Sequence, residues 1–241
     1  MSTAARLTIG FHGYWHIGSG RGDGLGTDAA VIRTPGKLPY MPGRTIKGLL
    51  RDAAALSEGL GYLPPGRTAM LFGTPLPDPP VPKDGQGGAG STTKDGAPAD
   101  PGKTNEGDDR SFAAEQTLHR YRTEPGVLRI SNARLGDTRT AQDTWETWAR
   151  SGREEAPDLV RGLFRTVAST ALKDGVARDS TLRVVEVAVP ITLHAFVEGP
   201  DDGWIDELNT VVLPLVRRAG KNRTRGLGMS TWCAAPEGGR S

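Results

Sequence analysis

The chain has 241 residues, of which 36% are hydrophobic, and it contains 33 glycines and 18 prolines. This length suffices for one large domain or two small ones, and the composition predicts a modest core that carries long irregular segments. A net charge of +2 does not by itself indicate a polyanionic partner. Cys233 is the single cysteine, which excludes an internal disulfide and a cysteine-rich zinc site. No long apolar run and no signal-peptide pattern is present, so the sequence predicts a soluble cytoplasmic protein without a membrane partner.

The first quarter of the chain predicts a strand, a glycine-rich loop, an extended segment and a helix. Residues 6–15 alternate between apolar and small or polar side chains, as a half-buried strand does. Five glycines between positions 18 and 26 indicate that residues 16–28 form a loop, and residues 29–33 then resume an extended apolar pattern. Apolar side chains recur every three or four positions over residues 44–56, which predicts an amphipathic helix.

Two stretches in the middle of the chain differ in composition from the predicted core elements. Residues 74–111 consist mainly of Gly, Pro, Asp, Lys, Ser and Thr. They cannot offset the entropy lost on ordering, so we predict a disordered or mobile insertion. A second polar insertion covers about residues 166–181. Between the two, residues 127–135 alternate as a strand does, and residues 138–165 predict partial helix.

The last quarter of the chain completes an α+β pattern. Residues 181–198 carry the strongest β pattern, which Pro190 interrupts, and residues 228–233 predict a final strand. The order of predicted elements suits a ferredoxin-like α+β sheet with helices on one face and large insertions. We therefore predict a single domain over residues 1–241.

A second amphipathic helix is predicted just before the final strand. Apolar residues recur at helical spacing over residues 204–216, and Asp201 and Asp202 are N-cap candidates. Pro214 lies inside this pattern and predicts a kink or a free backbone carbonyl. Gly220 fits the position that ends the helix.

The segment after this helix combines glycines with positive charge. Five cationic side chains fall within nine residues, at Arg217, Arg218, Lys221, Arg223 and Arg225. Glycines allow a backbone to approach a ligand closely, so such a loop can offer both N–H groups and charges to phosphate. The same cations could instead only complement the dipole of the preceding helix. The loop alone leaves both interpretations open.

Several segments of the chain resemble the RAMP proteins of type III CRISPR effector complexes. The most specific is residues 42–51, which is similar to the family's signature of proline-glycine, lysine-glycine and leucine-arginine pairs. The other matching segments follow in the family's order and are residues 71–73, 127–135, 177–186 and 220–228. The matches span nearly the whole chain, and Glu186 falls at the family's glutamate.

The N-terminal pattern looks most like the repeated backbone subunit of this family. In that group a histidine-isoleucine-glycine loop follows the first strand, and an aspartate precedes a valine-isoleucine-arginine strand. His16 opens the matching loop, and Asp28 precedes the matching strand. The resemblance implies a subunit whose copies form a filament along a guide RNA, beside other type III subunits, and which cuts the paired target RNA at the aspartate.

Asp28 is accordingly the candidate catalytic and metal-binding residue. A carboxylate can position hydrated Mg²⁺ or another divalent cation, which polarises a scissile phosphate or helps activate the ribose 2′-hydroxyl. A single carboxylate is a weak site, so substrate oxygens would complete it. Asp23 is the competing residue, and without the resemblance Asp28 is a loop or capping residue. His16 would contact RNA or support the fold, and direct catalysis is its third and less favoured role.

Guide RNA contacts are predicted at six cations in two groups. The first group lies on the first helix and the second in the C-terminal loop: Arg44, Lys47, Arg51, Lys221, Arg223 and Arg225. Basic side chains bind phosphates without reading sequence, as a subunit that accepts any guide requires. An exposed helix cation is the alternative for Arg51. Residues 167–180 are the preferred candidate for the family's thumb, with Leu172 and Val176 as wedge residues, and residues 74–111 are the other.

Three further functions compete with the metal-dependent endoribonuclease. The chain could be a purely structural guide-binding subunit in which Asp28 has no catalytic role. It could be a guide-processing endoribonuclease that uses histidine as acid or base, although the motif at residues 42–51 argues against this. A mononucleotide-binding protein is the most distant, since no Walker-type phosphate loop is present.

Overall fold

The computed structural model describes residues 2–18, 29–74, 124–151, 156–170, 172–173, 176–177 and 183–237. The chain divides into one unit of residues 1–72 with 126–241 and another of residues 73–125. Of the second unit only the two ends are described, where Gly73 and Pro125 form an isolated bridge. Apart from Thr74, the insertion predicted over residues 74–111 lies outside the described residues.

The described residues form eight strands and five α-helices. In chain order they are β1 (Ser2–Phe11), α1 (Gly43–Gly59), α2 (Arg67–Phe72), β2 (Arg129–Ile130), α3 (Arg139–Arg150), α4 (Ala156–Gly162), β3 (Phe164–Ser169), β4 (Leu172–Lys173), β5 (Val176–Ala177), β6 (Arg183–Ala188), β7 (Thr192–Pro200), α5 (Trp204–Glu207) and β8 (Ser230–Pro236). A π-helical segment and a 3-10 turn continue α5 to Leu215. None of the described helices has the length and apolar character needed to cross a membrane.

The main sheet has the strand order of a ferredoxin-like fold. Its strands lie in the order β2, β7, β1, β8, and every neighbouring pair is antiparallel. β1 and β2 therefore run parallel on either side of β7, with α1 on the connection between them. In the second half of the fold β7 leads through α5 to β8, which lies beyond β1. The predicted α+β, ferredoxin-like fold class is confirmed.

The core lies on one face of this sheet, beneath α1 and the helical run after β7. Leu7 and Ile9 of β1 are fully buried and stand opposite Ala195 and Leu193 of β7. Leu50 of α1 belongs to the same buried cluster. The helical spacing on α1 and the alternation on the strands therefore meet in one apolar layer, as the sequence pattern predicts.

The start of α1 explains the proline-glycine pair of the signature. The N–H of Gly43 donates to the Asn132 side-chain oxygen over 2.9 Å, which satisfies one orphan donor of the helix. A Cβ at Gly43 would collide with the carbonyl oxygen of Ile130. Glycine is therefore needed because α1 begins in contact with the backbone of β2. Gly48, further along α1, has nothing within 4 Å of an added Cβ.

The second predicted helix exists, but its details differ from the prediction. The helical run covers Trp204 to Leu215. It is α-helical at first, π-helical over Leu208–Val212 and 3-10 over Leu213–Leu215. Pro214 lacks a backbone N–H, which prevents a regular α-helix there. The cap is Gly203, at φ 86°, so the N-cap prediction for the aspartates is wrong. The hydrogen bond from the Arg67 guanidinium instead lowers the pKa of Asp202. The run ends before Gly220 is reached, so Gly220 is not its capping glycine.

The other predicted elements are confirmed, except that one predicted strand is much shorter in the structure. Pro190 separates β6 from β7, and α3 and α4 occupy much of the polar stretch of residues 138–165. The strand predicted over residues 127–135 shrinks to β2, after which Ala133 and Arg134 make only isolated bridges. Its alternating pattern reflects these separate contacts.

The second polar insertion is built on a two-stranded ladder. β3 pairs antiparallel with β6, from Phe164 opposite Ala188 to Ser169 opposite Arg183. β4 and β5 pair with each other between those strands. The described part of residues 166–181 is thus an extended hairpin-like projection, and its action as a thumb on RNA stays a prediction.

The contact at Gly43 gives a test of the fold with a control on the same helix. Gly43→Ala should lower the free energy of unfolding by about 1–3 kcal/mol, because the methyl group collides with the β2 backbone. Gly48→Ala should raise it by about 0.5–1 kcal/mol, because alanine is the better helix former and the space is open. Urea unfolding of both variants measures the difference. Equal effects would contradict the close contact at Gly43.

Candidate nucleic-acid interface

The cationic segment of residues 217–228, here called the basic loop, is held against the continuation of β1. The N–H of Lys221 donates to the His16 carbonyl, and that of Gly228 to the Tyr14 carbonyl, each over 2.8 Å. The N–H of Ala219 donates to the Gly228 carbonyl over 2.9 Å and closes the base of the loop. The basic loop therefore has a fixed position beside residues 14–16.

Glycines in the basic loop serve close packing. Gly220 and Gly228 have φ of 96° and 73°, and an added Cβ would collide with the carbonyl oxygens of His16 and Ala219 respectively. The N–H groups of Lys221 and Gly228 already donate to the carbonyls of His16 and Tyr14. The expectation that the loop offers N–H groups to a ligand therefore fails at these two positions, whose hydrogen bonds lie within the chain.

The cationic side chains of the basic loop are free to meet an anion. Lys221, Arg223 and Arg225 are exposed, and a 3-10 turn presents the two arginines just after Asn222, whose φ is 58°. Within the described part of the chain, none of these three cations makes a salt bridge or a side-chain hydrogen bond. Arg218 donates to the Arg223 carbonyl, which helps to hold the turn in place.

The predicted cations of α1 share one flank of the helix. Arg44, Lys47 and Arg51 follow one another at spacings of three and four, so they project from the same side. Among the described residues none has a hydrogen-bonding or ion-pair partner for its side chain. Gly48 lies on this flank, and the open space around it leaves the backbone accessible.

The two cationic groups lie on different sides of α1. A groove between α1 and the basic loop is lined on the helix side by Leu49, Asp52 and Leu56, and on the loop side by Arg218 and Arg223, among others. At 3.6 residues per turn, the α1 residues that line this groove lie about 140° around the helix axis from Arg44, Lys47 and Arg51. The structure therefore places positive charge on both sides of α1 and does not join it into one cluster.

His16 lies inside the protein. Its side chain is fully buried, and Nδ1 donates to the Glu186 carbonyl over 2.6 Å, so the ring carries its proton on Nδ1 when neutral. Nε2 is buried and has no partner among the described residues. Of the predicted roles, support of the fold agrees with this buried geometry, and contact of the ring with RNA does not.

Glu186 joins three separate parts of the chain, and the sequence assigned it no role beyond its place in a motif. Its N–H donates to the Ala29 carbonyl over 3.0 Å, and its carbonyl accepts the His16 ring. One carboxylate oxygen accepts the Val31 N–H over 2.9 Å, and the other binds the Arg33 guanidinium. Glu186 therefore fixes the extended segment that begins one residue after Asp28.

The candidate metal-binding aspartates, Asp28 and Asp23, lie outside the described residues. Ala29 is the first described residue after them, and it bridges Val185 of β6. Within the described ranges no group of three His, Cys, Asp or Glu side chains could hold a metal ion. Both carboxylate oxygens of Glu186, the neighbour of Val185 on β6, already have partners in Val31 and Arg33.

The described residues thus form a ferredoxin-like domain with an inserted β3–β6 ladder and with cations on α1 and on the basic loop. The sequence model of the RAMP superfamily matches residues 8–228, and the chain belongs to this superfamily. None of the curated proteins compared with the sequence matches it.

Solved structures share the fold at low sequence identity. A chain of the type III-B Cmr-beta structure in its apo state, determined by cryo-EM, is similar with a TM-score of 0.58 and 9% identity over 97% of both chains. A chain of type III-B Cmr-beta bound to cognate target RNA gives a TM-score of 0.56 and 10% identity over 96% of both chains. At such identities the likeness establishes the fold.

The anchoring role of Glu186 can be tested by amide exchange. Glu186→Ala leaves the buried Val31 N–H and the Arg33 guanidinium without their partner, at a cost of about 1–3 kcal/mol. Hydrogen exchange of residues 29–33 should accelerate by about tenfold or more. Glu198→Ala, which removes an exposed ion pair with Arg139, is the control and should leave this segment protected. Unchanged protection of Val31 in Glu186→Ala would contradict the anchor.

Proposed function

We propose that this chain is a guide-RNA-binding backbone subunit of a type III CRISPR effector complex. The observation that carries the proposal is the free state of the six predicted cations. Elsewhere in the described residues, seven arginines form ion pairs with carboxylates: Arg6, Arg33, Arg67, Arg134, Arg139, Arg150 and Arg161. None of the six cations predicted to contact RNA forms an ion pair with a carboxylate of the described residues.

Free cations concentrated around α1 and the basic loop favour a polyanionic ligand. The net charge of +2 is small, so this local excess results from pairing elsewhere rather than from composition. Guanidinium and ammonium groups bind phosphates without reading bases, which suits a subunit that accepts guides of any sequence. The fixed attachment of the basic loop to residues 14–16 keeps Arg223 and Arg225 in place before RNA binds.

We further propose that the chain cuts target RNA paired to the guide, with Asp28 as the catalytic and metal-binding residue. Mg²⁺ or another divalent cation would polarise the scissile phosphate and assist the 2′-hydroxyl. The chain's own contribution is to hold this region, because Glu186 fixes Val31 and Arg33 just after Asp28. The β3–β6 projection is the candidate thumb. Copies of the chain, guide RNA, target RNA and other type III subunits are the proposed partners, in the cytoplasm.

A structural guide-binding subunit without catalysis is the second candidate. It is favoured by the pairing of both Glu186 oxygens and by the lack of a cluster of metal-ligating side chains among the described residues. A guide-processing endoribonuclease receives no support from His16, since its ring is buried.

RNA binding is tested by removing charge from the basic loop. The double variant Arg223→Ala/Arg225→Ala should bind a single-stranded RNA oligonucleotide about tenfold or more weakly at 0.1 M salt. The slope of log affinity against log salt should fall by about 0.7 for each lost phosphate contact. Fluorescence anisotropy of a labelled oligonucleotide measures both. Arg150→Ala, which removes a cation already paired with Glu146, is the control. Equal loss in both variants would contradict a specific role for the loop.

Catalysis is tested separately, with the assembled complex. Asp28→Ala should reduce cleavage of guide-complementary RNA by about 100-fold or more while leaving guide and target binding unchanged, because one carboxylate adds little to phosphate affinity. Asp23→Ala is the matched control in the same loop and should cleave normally. Cleavage at the wild-type rate by Asp28→Ala would support the structural subunit instead. Loss of cleavage in Asp23→Ala alone would assign the catalytic role to Asp23.

A further inference from the structure

A cationic pocket lies at the root of the β3–β6 projection, apart from α1 and the basic loop. It has a volume of about 460 Å³. Its lining holds four cations and one carboxylate, together with apolar and hydroxyl side chains: Arg33, Lys37, Pro157, Val160, Arg161, Phe164, Arg165, Thr166 and Glu186. The function proposed above uses two of these residues, Arg33 and Glu186, to hold the segment after Asp28, and it assigns no ligand to the pocket.

Lys37 occupies a backbone position that does not suit lysine. Its φ is 66°, and Asn222 is the other non-glycine residue with positive φ among the described residues. Asparagine tolerates this conformation, whereas a long side chain does not favour it. A tight hairpin imposes it on Lys37. The Lys37 N–H donates to the Thr34 carbonyl over 2.9 Å, and the Thr34 N–H donates to the Leu38 carbonyl over 2.8 Å.

No contact among the described residues stabilises a lysine side chain at position 37. The residue is exposed, and its ammonium group has no hydrogen bond or ion pair among the described residues. Glycine or asparagine would fit the backbone better and would lose no described contact. A residue that strains its backbone without an internal partner points to a partner outside the fold.

The other cations of the pocket leave positive charge available. Arg165 is oriented by donating to the Phe164 carbonyl over 2.7 Å and to the Gly162 carbonyl over 3.2 Å, and it has no carboxylate partner in the described residues. Among the described residues Arg161 pairs with Asp158 alone, over 3.1 Å, and both side chains are about 80% exposed, so the pair is weak. Arg33 is neutralised by Glu186.

Lys37 and Arg165 therefore line one cavity without a carboxylate partner among the described residues, and Arg161 and Thr166 line it beside them. This set fits an oxyanion that can accept several hydrogen bonds. The carboxylate of Glu186 does not oppose it, because both its oxygens are engaged by Val31 and Arg33.

We propose that this pocket binds a phosphodiester group of RNA, as a second contact point separate from α1 and the basic loop. The inference rests on the proposed RNA-binding function and extends it to the side of the molecule where β6 meets the segment that follows Asp28. The phosphate could belong to the guide or to the target strand, and the experiment below separates these sources.

Lys37→Asn separates a binding role from a structural one, because it removes the charge and relieves the backbone. The melting temperature should stay unchanged or rise by up to about 2 °C. Affinity for RNA should fall about fivefold at 0.1 M salt, and about tenfold or more in Lys37→Asn/Arg165→Ala. Lys37→Arg should restore binding. Arg129→Ala, which removes an exposed cation of β2, is the control for general loss of charge.

Two binding assays identify the strand. In the first, each variant binds a labelled single-stranded RNA as guide, and in the second, protein preloaded with guide captures complementary RNA. A loss in the first assay assigns the pocket to the guide, and a loss confined to the second assigns it to the target. Either result supports the proposal.

The remaining outcomes overturn it. If Lys37→Asn/Arg165→Ala binds both strands within twofold of wild type while Arg223→Ala/Arg225→Ala is weakened, the pocket is not an RNA site and the proposed function stands. If Arg129→Ala loses as much affinity as the pocket variants, only general charge is involved. If wild-type protein binds neither strand, the proposed function and this inference both fail.

Discussion

The hydrogen bonds of Glu186 are the constraint on which the candidate site depends. The Glu186 carbonyl on β6 accepts a hydrogen bond from the ring of His16, five residues after the end of β1. The same residue binds Ala29, Val31 and Arg33 on the segment that follows Asp28. A buried N–H without an acceptor is costly, so these bonds fix where the chain enters and leaves the loop that carries Asp28. The same carboxylate neutralises Arg33, which lies 3.9 Å over the ring of Phe164 at the start of the β3–β6 projection.

Close contact between backbone segments is a second constraint, and it explains three glycines of the motifs, Gly43, Gly220 and Gly228. Gly43 brings α1 onto β2, and Gly220 brings the basic loop onto His16. These glycines act inside the fold, where a side chain would collide. Among the described residues the cations predicted to bind RNA have no ion-pair partner, whereas Arg67 is paired with both Asp202 and Glu207. Some basic residues thus form ion pairs within the fold, and different ones are available to bind a ligand.

Sequence patterns predicted the elements and the fold class well, since periodicity is a local property of the chain. They failed where a neighbour distant in sequence decides the outcome. His16 reads as a polar loop residue beside a glycine run, yet Glu186, far away along the chain, provides its buried acceptor. The strand predicted over residues 127–135 alternates because separate partners, Met41 and His194, contact it in turn. The aspartates before Gly203 look like caps, but Arg67 engages Asp202.

The sequence by itself determined the ferredoxin-like order of elements, the cationic character of α1 and the basic loop, and the motifs of the RAMP superfamily. These follow from spacing and residue type, which need no knowledge of the partners. The tertiary structure decided which cations are free, that the two cationic groups lie on different flanks of α1, and that Lys37 joins Arg165 at one pocket. The physical reason is that pairing, burial and a left-handed φ depend on which segments the sheet register and the turns place side by side.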